Sequence, residues 1–133
     1  MSRNINFYTN SNKPEKISEA ELYIMCEKIH HTSEDFYDGD LAERIEDYKE
    51  YELVEINLSE LDLEEWYVDE EMVEEYMEEI EEDYETLPIP LISHDNSIID
   101  GTHRLNALNN LGYKKVFVYR GIKLTPADFN IIL

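Results

Sequence analysis

Residues 98–105 of this chain have the sequence Ile-Ile-Asp-Gly-Thr-His-Arg-Leu (IIDGTHRL), and they say more about the fold than any other stretch. The apolar residues that precede the acidic one predict a short strand over Ser97–Asp100. Gly101 interrupts that strand, and Thr102 can cap a helix that begins there. The sequence therefore predicts a strand that passes through one glycine directly into a helix.

The polar residues of this junction, the Asp100–Arg104 turn, are candidates for binding an anion. The first N–H groups of a helix have no partner within the helix, and the helix dipole favours negative charge at that end. Gly101 lets the backbone approach a ligand, Thr102 supplies a hydroxyl, and Arg104 supplies a bidentate fork for phosphate. His103 can donate a hydrogen bond or transfer a proton, and Asp100 can hold a metal or polarise a hydroxyl. A tight turn followed by a capped helix, with Arg104 paired to the acidic middle of the chain at residues 34–85, explains the same five residues equally well.

Upstream of the turn, the sequence predicts a strand and then a long amphipathic helix. Apolar and polar residues alternate in Glu52–Leu58, which is typical of a strand with one buried face. Asp69 can cap a helix that ends before Pro88, and glutamates fill the positions outside its apolar stripe. The stripe consists of Val73, Tyr76, Met77, Ile80 and Tyr84. An extended segment, Ile89–Ser93, follows this helix.

Downstream of the turn, a helix is predicted to end at Gly112 and a strand to span Lys115–Arg120. Thr125-Pro126 predicts the start of a short final helix.

The N-terminal part of the chain predicts mainly helices. Ser18 and Glu21 have the spacing of a capping box. A short strand is predicted at Ile5–Tyr8, and Ser33 can cap a second helix. The inward side of that second helix is predicted to carry Phe36, Leu41, Ile45 and Tyr48. We therefore expect a compact α+β fold, with a helical extension at residues 1–51 packed on a domain at residues 52–133.

The composition limits the class of protein. The 133 residues, with 42% hydrophobic residues, suffice for one domain with one core. No apolar stretch approaches the roughly 20 residues that span a bilayer, so no membrane association is expected. The single cysteine excludes an internal disulfide and a cysteine-cluster metal site. We expect a soluble, cytoplasmic protein.

The charge of the chain is unusual in its size and its distribution. There are 32 acidic residues against 11 basic ones, a formal net charge of −21. Residues 34–85 alone hold 25 acidic and 2 basic residues. Because phosphate backbones are bound by Lys and Arg, this region is not expected to bind nucleic acid directly. It is compatible with a basic protein partner, a metal, or mimicry of a polyanion.

Residues 98–119, IIDGTHRLNALNNLGYKKVFVY, resemble the core of the ParB/sulfiredoxin superfamily, also described as the ParB-like nuclease domain. The upstream segment 54–92 resembles the same family's strand, loop, helix and proline-led strand in the same order. The resemblance covers about residues 52–120 and implies a small mixed sheet.

In that family the turn and the helix start hold nucleotide phosphates. The resemblance therefore implies cofactor-binding roles for Gly101, Thr102, His103 and Arg104, and catalytic roles for Asp100 and His103. The implied cofactor is ATP, ADP or CTP with Mg²⁺, whose protein ligands the sequence does not identify.

Two departures from the family narrow what the resemblance implies. Sulfiredoxins need a cysteine where this chain has Thr102, so reduction of sulfinic acids is not expected. Partition proteins have an arginine where this chain has His103. The glutamates of the upstream helix would also repel phosphates unless Mg²⁺ intervenes or they point away.

Two functions stay open at this stage. The first is a nucleotide-binding enzyme, a Mg²⁺-dependent hydrolase or phosphotransferase, or a nuclease-like protein, that acts through the Asp100–Arg104 turn. The second is a non-catalytic, acidic DNA mimic of phage or plasmid type. It would occupy a basic, DNA-binding partner through residues 34–85, since a charge block spread over several elements suits a surface better than a pocket.

Overall fold

The computed structural model describes Thr9, residues 12–29 and residues 41–124 of the chain. The strands are β1 (Lys16–Ser18), β2 (Tyr48–Asn57), β3 (Leu91–Ile92), β4 (Ile98–Asp100) and β5 (Lys115–Leu124). The helices are α1 (Glu19–Ile29), α2 (Leu41–Glu46), α3 (Glu70–Asp83) and α4 (Thr102–Asn110). Single 3₁₀ turns follow β2 at Leu58–Glu60 and α3 at Tyr84–Thr86.

The five strands form one mixed sheet in the order β1-β2-β5-β3-β4. Strands β5 and β3 run parallel, and the other neighbours run antiparallel. The long β2–β5 pair is central, with Val54 opposite Val118 and Ile56 opposite Val116. The prediction of an α+β fold with a small mixed sheet is confirmed.

Helices cover both faces of the sheet because successive side chains of each strand point to opposite sides. On one face, Ile56, Val116 and Val118 belong to the core that also contains Val73 and the buried residues of α4. The core on the other face contains Leu22 of α1 and Ile45 of α2, and its strand residues are Ile17, Tyr48, Tyr51, Leu91, Ile99 and Tyr119. The turn between β4 and α4 lies at one edge of this sandwich.

The predicted start of α3 is confirmed by its cap. The Asp69 carboxylate accepts a hydrogen bond from the Glu71 N–H at 3.0 Å, which satisfies one of the unpaired donors of the first turn. The predicted stripe faces inward: Val73 and Ile80 are buried, and the other three residues pack half-buried against the same core. The capping box of Ser18 and Glu21 is also present at the start of α1.

The predicted position of Tyr48 in a helix is wrong, because β2 begins at Tyr48 and α2 ends at Glu46. The Tyr51 hydroxyl donates to the carbonyl of Ile45 at 2.7 Å, which fixes the end of α2 beneath the sheet. The Tyr48 ring occupies the space that a side chain at Gly121 would fill. Strand β5 continues past its predicted end at Arg120 to Leu124.

Three further predictions fall on residues that the structure does not describe. The predicted strand Ile5–Tyr8, the start of a helix at Ser33 and the helix at Thr125-Pro126 lie outside the described residues. Strand β1 joins the sheet through β2, and the predicted boundary between residues 51 and 52 falls within β2. Among the described residues, no helix combines the length and the apolar composition needed to cross a membrane.

Candidate functional site

The charged groups of the Asp100–Arg104 turn face each other in the interior. Arg104 is 2% exposed, and its Nη2 lies 2.6 Å from the Oδ2 of Asp100, which is also buried. Nη1 of Arg104 donates to the carbonyl of Pro88 at 2.9 Å. The guanidinium therefore joins the end of β4, the first turn of α4 and the segment that leads into β3.

Gly101 packs against a proline. It has a φ of +111° and is the N-cap residue of α4, so the prediction that Thr102 is the cap is wrong. A Cβ at this position would lie 2.7 Å from the Cβ of Pro90, a distance too short for two carbon atoms. The glycine is thus required by its backbone conformation and by the close approach of Pro90.

His103 links the two helices on this face of the sheet. Its Nε2 accepts a hydrogen bond from the Asp69 N–H at 2.9 Å, so the ring is neutral here and carries its proton on Nδ1. Burial is the largest cause that lowers the pKa of His103, and Arg104 lowers it further. The carboxylates of Asp69 and Glu70 raise the pKa of His103, but each by less than burial lowers it. The imidazole therefore holds the start of α3 against the start of α4.

These contacts determine how far the turn fits a bound nucleotide. The side chains of Asp100, His103 and Arg104 all have partners within the chain, so as placed they do not fit a nucleotide or a magnesium ion. The start of α4 fits better, because Gly101 supplies no side-chain cap and Thr102 is only half-buried. Within the described residues, no group of three or more His, Cys, Asp or Glu side chains is arranged to hold a metal ion. The roles that the resemblance implies for these residues remain predictions.

The loop before α3 covers the outer edge of β4. The Ile98 N–H donates to Glu65 Oε1 at 3.0 Å, and the Trp66 indole N–H donates to the Ile98 carbonyl at 2.9 Å. The Arg44 guanidinium lies 4.6 Å from the centre of the Trp66 ring. These contacts satisfy the N–H and carbonyl groups of Ile98, which at the edge of a sheet would otherwise be free to pair with another strand. Sequence reasoning could not assign Trp66, because its partner, a backbone carbonyl, has no signature in the sequence.

Next to this loop, α3 presents a charged face with apolar residues at one end. All nine acidic residues of α3 are exposed, and no base pairs with them in the part of the chain that the structure describes. They are Glu70, Glu71, Glu74, Glu75, Glu78, Glu79, Glu81, Glu82 and Asp83. Tyr67 is 84% exposed, Trp66 40% and Met72 39%. We call these twelve residues the acidic surface.

A cavity of about 660 Å³ opens beside the start of α3. Its lining comes from the end of β2 and the 3₁₀ turn that follows, the loop at residues 61–64, the first turn of α3, the last two turns of α4 and residues 113–114 after α4. Glu70 belongs both to this lining and to the acidic surface, so the two features are continuous. Sequence analysis did not predict the cavity, because its walls come from segments far apart in the chain.

Comparisons with known proteins give only distant likenesses. No protein-family model matches the chain, and no curated protein matches it. The chain is similar to the C2221 crystal form of a Pnob8-like ParB N-domain, with a TM-score of 0.43 and 17% identity over 60% of this chain and 33% of that chain. It is also similar to a pNOB8-like ParB N-domain structure, with a TM-score of 0.38 and 20% identity over 53% of this chain and 27% of that one.

The chain thus spans about a third or less of the length of the structures that it matches. Both structures are ParB N-domains, the family whose core the sequence of this chain resembles. At these TM-scores and identities, neither an activity nor a residue role is transferred.

Proposed function

We propose that this protein is a binding module that recognises a basic protein through the acidic surface. The observation that carries the proposal is the exposure of Tyr67, 84%, at the end of a helix face made of nine exposed carboxylates, none of which pairs with a base among the described residues. Exposed aromatic and methionine side chains rimmed by charge are typical of protein interfaces. A face that served only solubility would not need Tyr67, Trp66 and Met72 exposed within seven residues of one another.

The charge pattern of α3 supports the same proposal. Glu70, Glu74, Glu78 and Glu82 follow one another at intervals of four residues, where like charges repel. An ordinary solvated helix relieves such repulsion with Lys or Arg at the same spacing, and this helix has neither. A basic partner would supply the missing positive charge, and the carboxylates would also accelerate its approach.

An arginine-rich amphipathic helical peptide is a defined probe for this proposal. We expect saturable binding that weakens as salt rises, because the charges are exposed and screened. Tyr67→Ala should weaken binding by about tenfold, the loss expected when an aromatic anchor is truncated. The matched control is Ile24→Ala, which removes a 57% exposed apolar side chain from α1. Equal effects of the two substitutions would show attraction by net charge alone and would contradict the proposal.

A second candidate function is the binding of a nucleotide with Mg²⁺ at the start of α4. It is favoured by the absence of a side-chain cap at Gly101 and by the partial exposure of Thr102. Calorimetric titration of ATP, ADP and CTP with Mg²⁺ tests it, with Thr102→Val as the variant. Substitution of Arg104 is unsuitable here, since it removes a buried ion pair and affects folding. Saturable binding that the variant loses would support this function.

A further inference from the structure

The cavity beside α3 has an apolar floor and an acidic rim. Leu58, Leu61 and Val73 line it and are buried. The three carboxylates of its lining are Asp62, Glu64 and Glu70, against one ammonium group, Lys114. All four charged side chains are exposed. Such a site suits a ligand with an apolar stem and a positively charged end.

Asn106 adds a directed acceptor to the lining. Its Nδ2 donates to the carbonyls of Leu63 and Thr102, both at 2.9 Å, so both amide hydrogens are used. The Oδ1 atom is therefore the part of this amide that remains to accept a hydrogen bond. Tyr113 also lines the cavity, and its ring packs against that of Tyr84 with 5.2 Å between the ring centres, so a planar cation can stack only on the ring face turned away from Tyr84.

We propose that this cavity receives an arginine side chain of the basic partner. The proposal rests on the proposed function, because Glu70 makes the cavity continuous with the acidic surface. The methylene stem would lie on Leu58, Leu61 and Val73, and the guanidinium would meet the carboxylates of the rim. A guanidinium fits better than an ammonium, because its planar fork can bond a carboxylate and stack on an aromatic ring at once. Phosphate and other anions are repelled by the same rim.

The first test uses small probes and does not depend on the rest of the acidic surface. N-acetylarginine amide and N-acetyllysine amide are titrated into ¹⁵N-labelled protein while the side-chain amide signals of Asn106, Asn109 and Asn110 are followed. We expect saturable shifts with the arginine compound and shifts at least about threefold smaller with the lysine compound. Equal shifts, or none with the arginine compound, would overturn the proposal.

The second test compares two pairs of charge removals. Glu64→Gln/Glu70→Gln alters the cavity rim, and Glu81→Gln/Glu82→Gln removes the same charge from the far end of α3. With the arginine-rich peptide, we expect about a tenfold loss of affinity for the first pair and about threefold or less for the second. The preference over a lysine-substituted peptide should disappear only in the first pair. Equal losses would overturn the cavity proposal.

The two proposals fail in different ways. If Tyr67→Ala weakens peptide binding while the cavity pair behaves like its control, the binding surface stands and the cavity proposal is overturned. If the wild-type protein binds no peptide but the arginine compound still shifts the asparagine signals, the proposed function is overturned, and what remains supported is the affinity of the cavity for a guanidinium group.

Discussion

The Asp100–Arg104 turn and the acidic surface are both rich in charge, but their charges are used in opposite ways. In the turn, the guanidinium and the carboxylate pair with each other at 2.6 Å in the interior. His103 bonds to the start of α3, and Gly101 packs against Pro90. On α3, nine carboxylates are exposed, and no base within residues 12–29 or 41–124 pairs with them. A charge that is paired and buried contributes to the architecture, whereas an exposed array without counter-charges leaves electrostatic attraction for another molecule. The buried pair therefore stabilises the fold, and the exposed carboxylates are the basis for the proposal that the acidic surface binds a partner.

The largest effect is expected from removal of the guanidinium in the turn. Arg104→Ala leaves the Asp100 carboxylate buried without its partner, so the free energy of unfolding should fall by about 3–5 kcal/mol. Urea denaturation measures this loss. The double variant Asp100→Leu/Arg104→Met, which replaces both charges by apolar groups, should lose less. A change of less than about 1 kcal/mol in Arg104→Ala would show that the turn is not a structural element.

The next largest effect is a difference in stability between alanine substitutions at two glycines with positive φ, Gly101 and Gly112. Gly101→Ala adds a Cβ that collides with Pro90, whereas a Cβ at Gly112 has no atom within 4 Å. We expect losses of about 2–4 kcal/mol for Gly101→Ala and about 1 kcal/mol for Gly112→Ala, because only the first combines backbone strain with overlap. Thermal unfolding of the two variants gives the comparison. Equal losses would mean that the contact with Pro90 is easily relieved.

A smaller effect of opposite sign is expected on the acidic surface. Glu74→Lys places a base four residues from both Glu70 and Glu78, which should raise the free energy of unfolding by about 0.5 kcal/mol. The same substitution should weaken binding of the arginine-rich peptide. A substitution that raises stability and lowers affinity is expected at a surface whose residues serve binding more than stability. Glu74→Lys with unchanged affinity would argue that α3 is only a solvated face.

The smallest effect concerns pH. The pKa of His103 is lowered in the folded state, chiefly by burial, so the unfolded chain binds more protons as the pH falls through the ordinary histidine range. The free energy of unfolding should therefore decrease slightly between about pH 7 and pH 5. His103→Gln keeps an acceptor for the Asp69 N–H and should reduce this decrease. If the pH dependence of the free energy of unfolding is unchanged in the variant, titratable groups other than His103 cause that dependence.

Much of the fold could be predicted from local patterns. The stripe on α3, its Asp69 cap and the left-handed Gly112 are all written in residues close together in the chain, and each is confirmed. The assignment of Tyr48 failed because its place depends on Gly121, more than seventy residues away. The spacing of apolar residues around Tyr48 carries no information on this contact between the Tyr48 ring and Gly121.

The site was less predictable than the fold for a similar reason. The sequence shows that Asp100 and Arg104 are four residues apart, a spacing that suits either a phosphate site or an internal ion pair. Only their burial distinguishes the two arrangements, and burial depends on Pro88 and the segment around it. The charge block, in contrast, was evident from the composition. The aromatic residue at its end, Tyr67, could be identified only from the exposed fraction of each side chain in the structure.

The most direct test of the account is a ¹⁵N chemical-shift titration of the wild-type protein with two ligands in parallel. One sample receives the arginine-rich helical peptide, and the other receives ATP, ADP or CTP with Mg²⁺. We expect saturable shifts concentrated at Trp66, Tyr67 and the exposed face of α3 with the peptide, and no saturable shifts at residues 101–104 with any nucleotide. Saturable nucleotide shifts at the start of α4, without a response of α3 to the peptide, would contradict it and place the function at the turn.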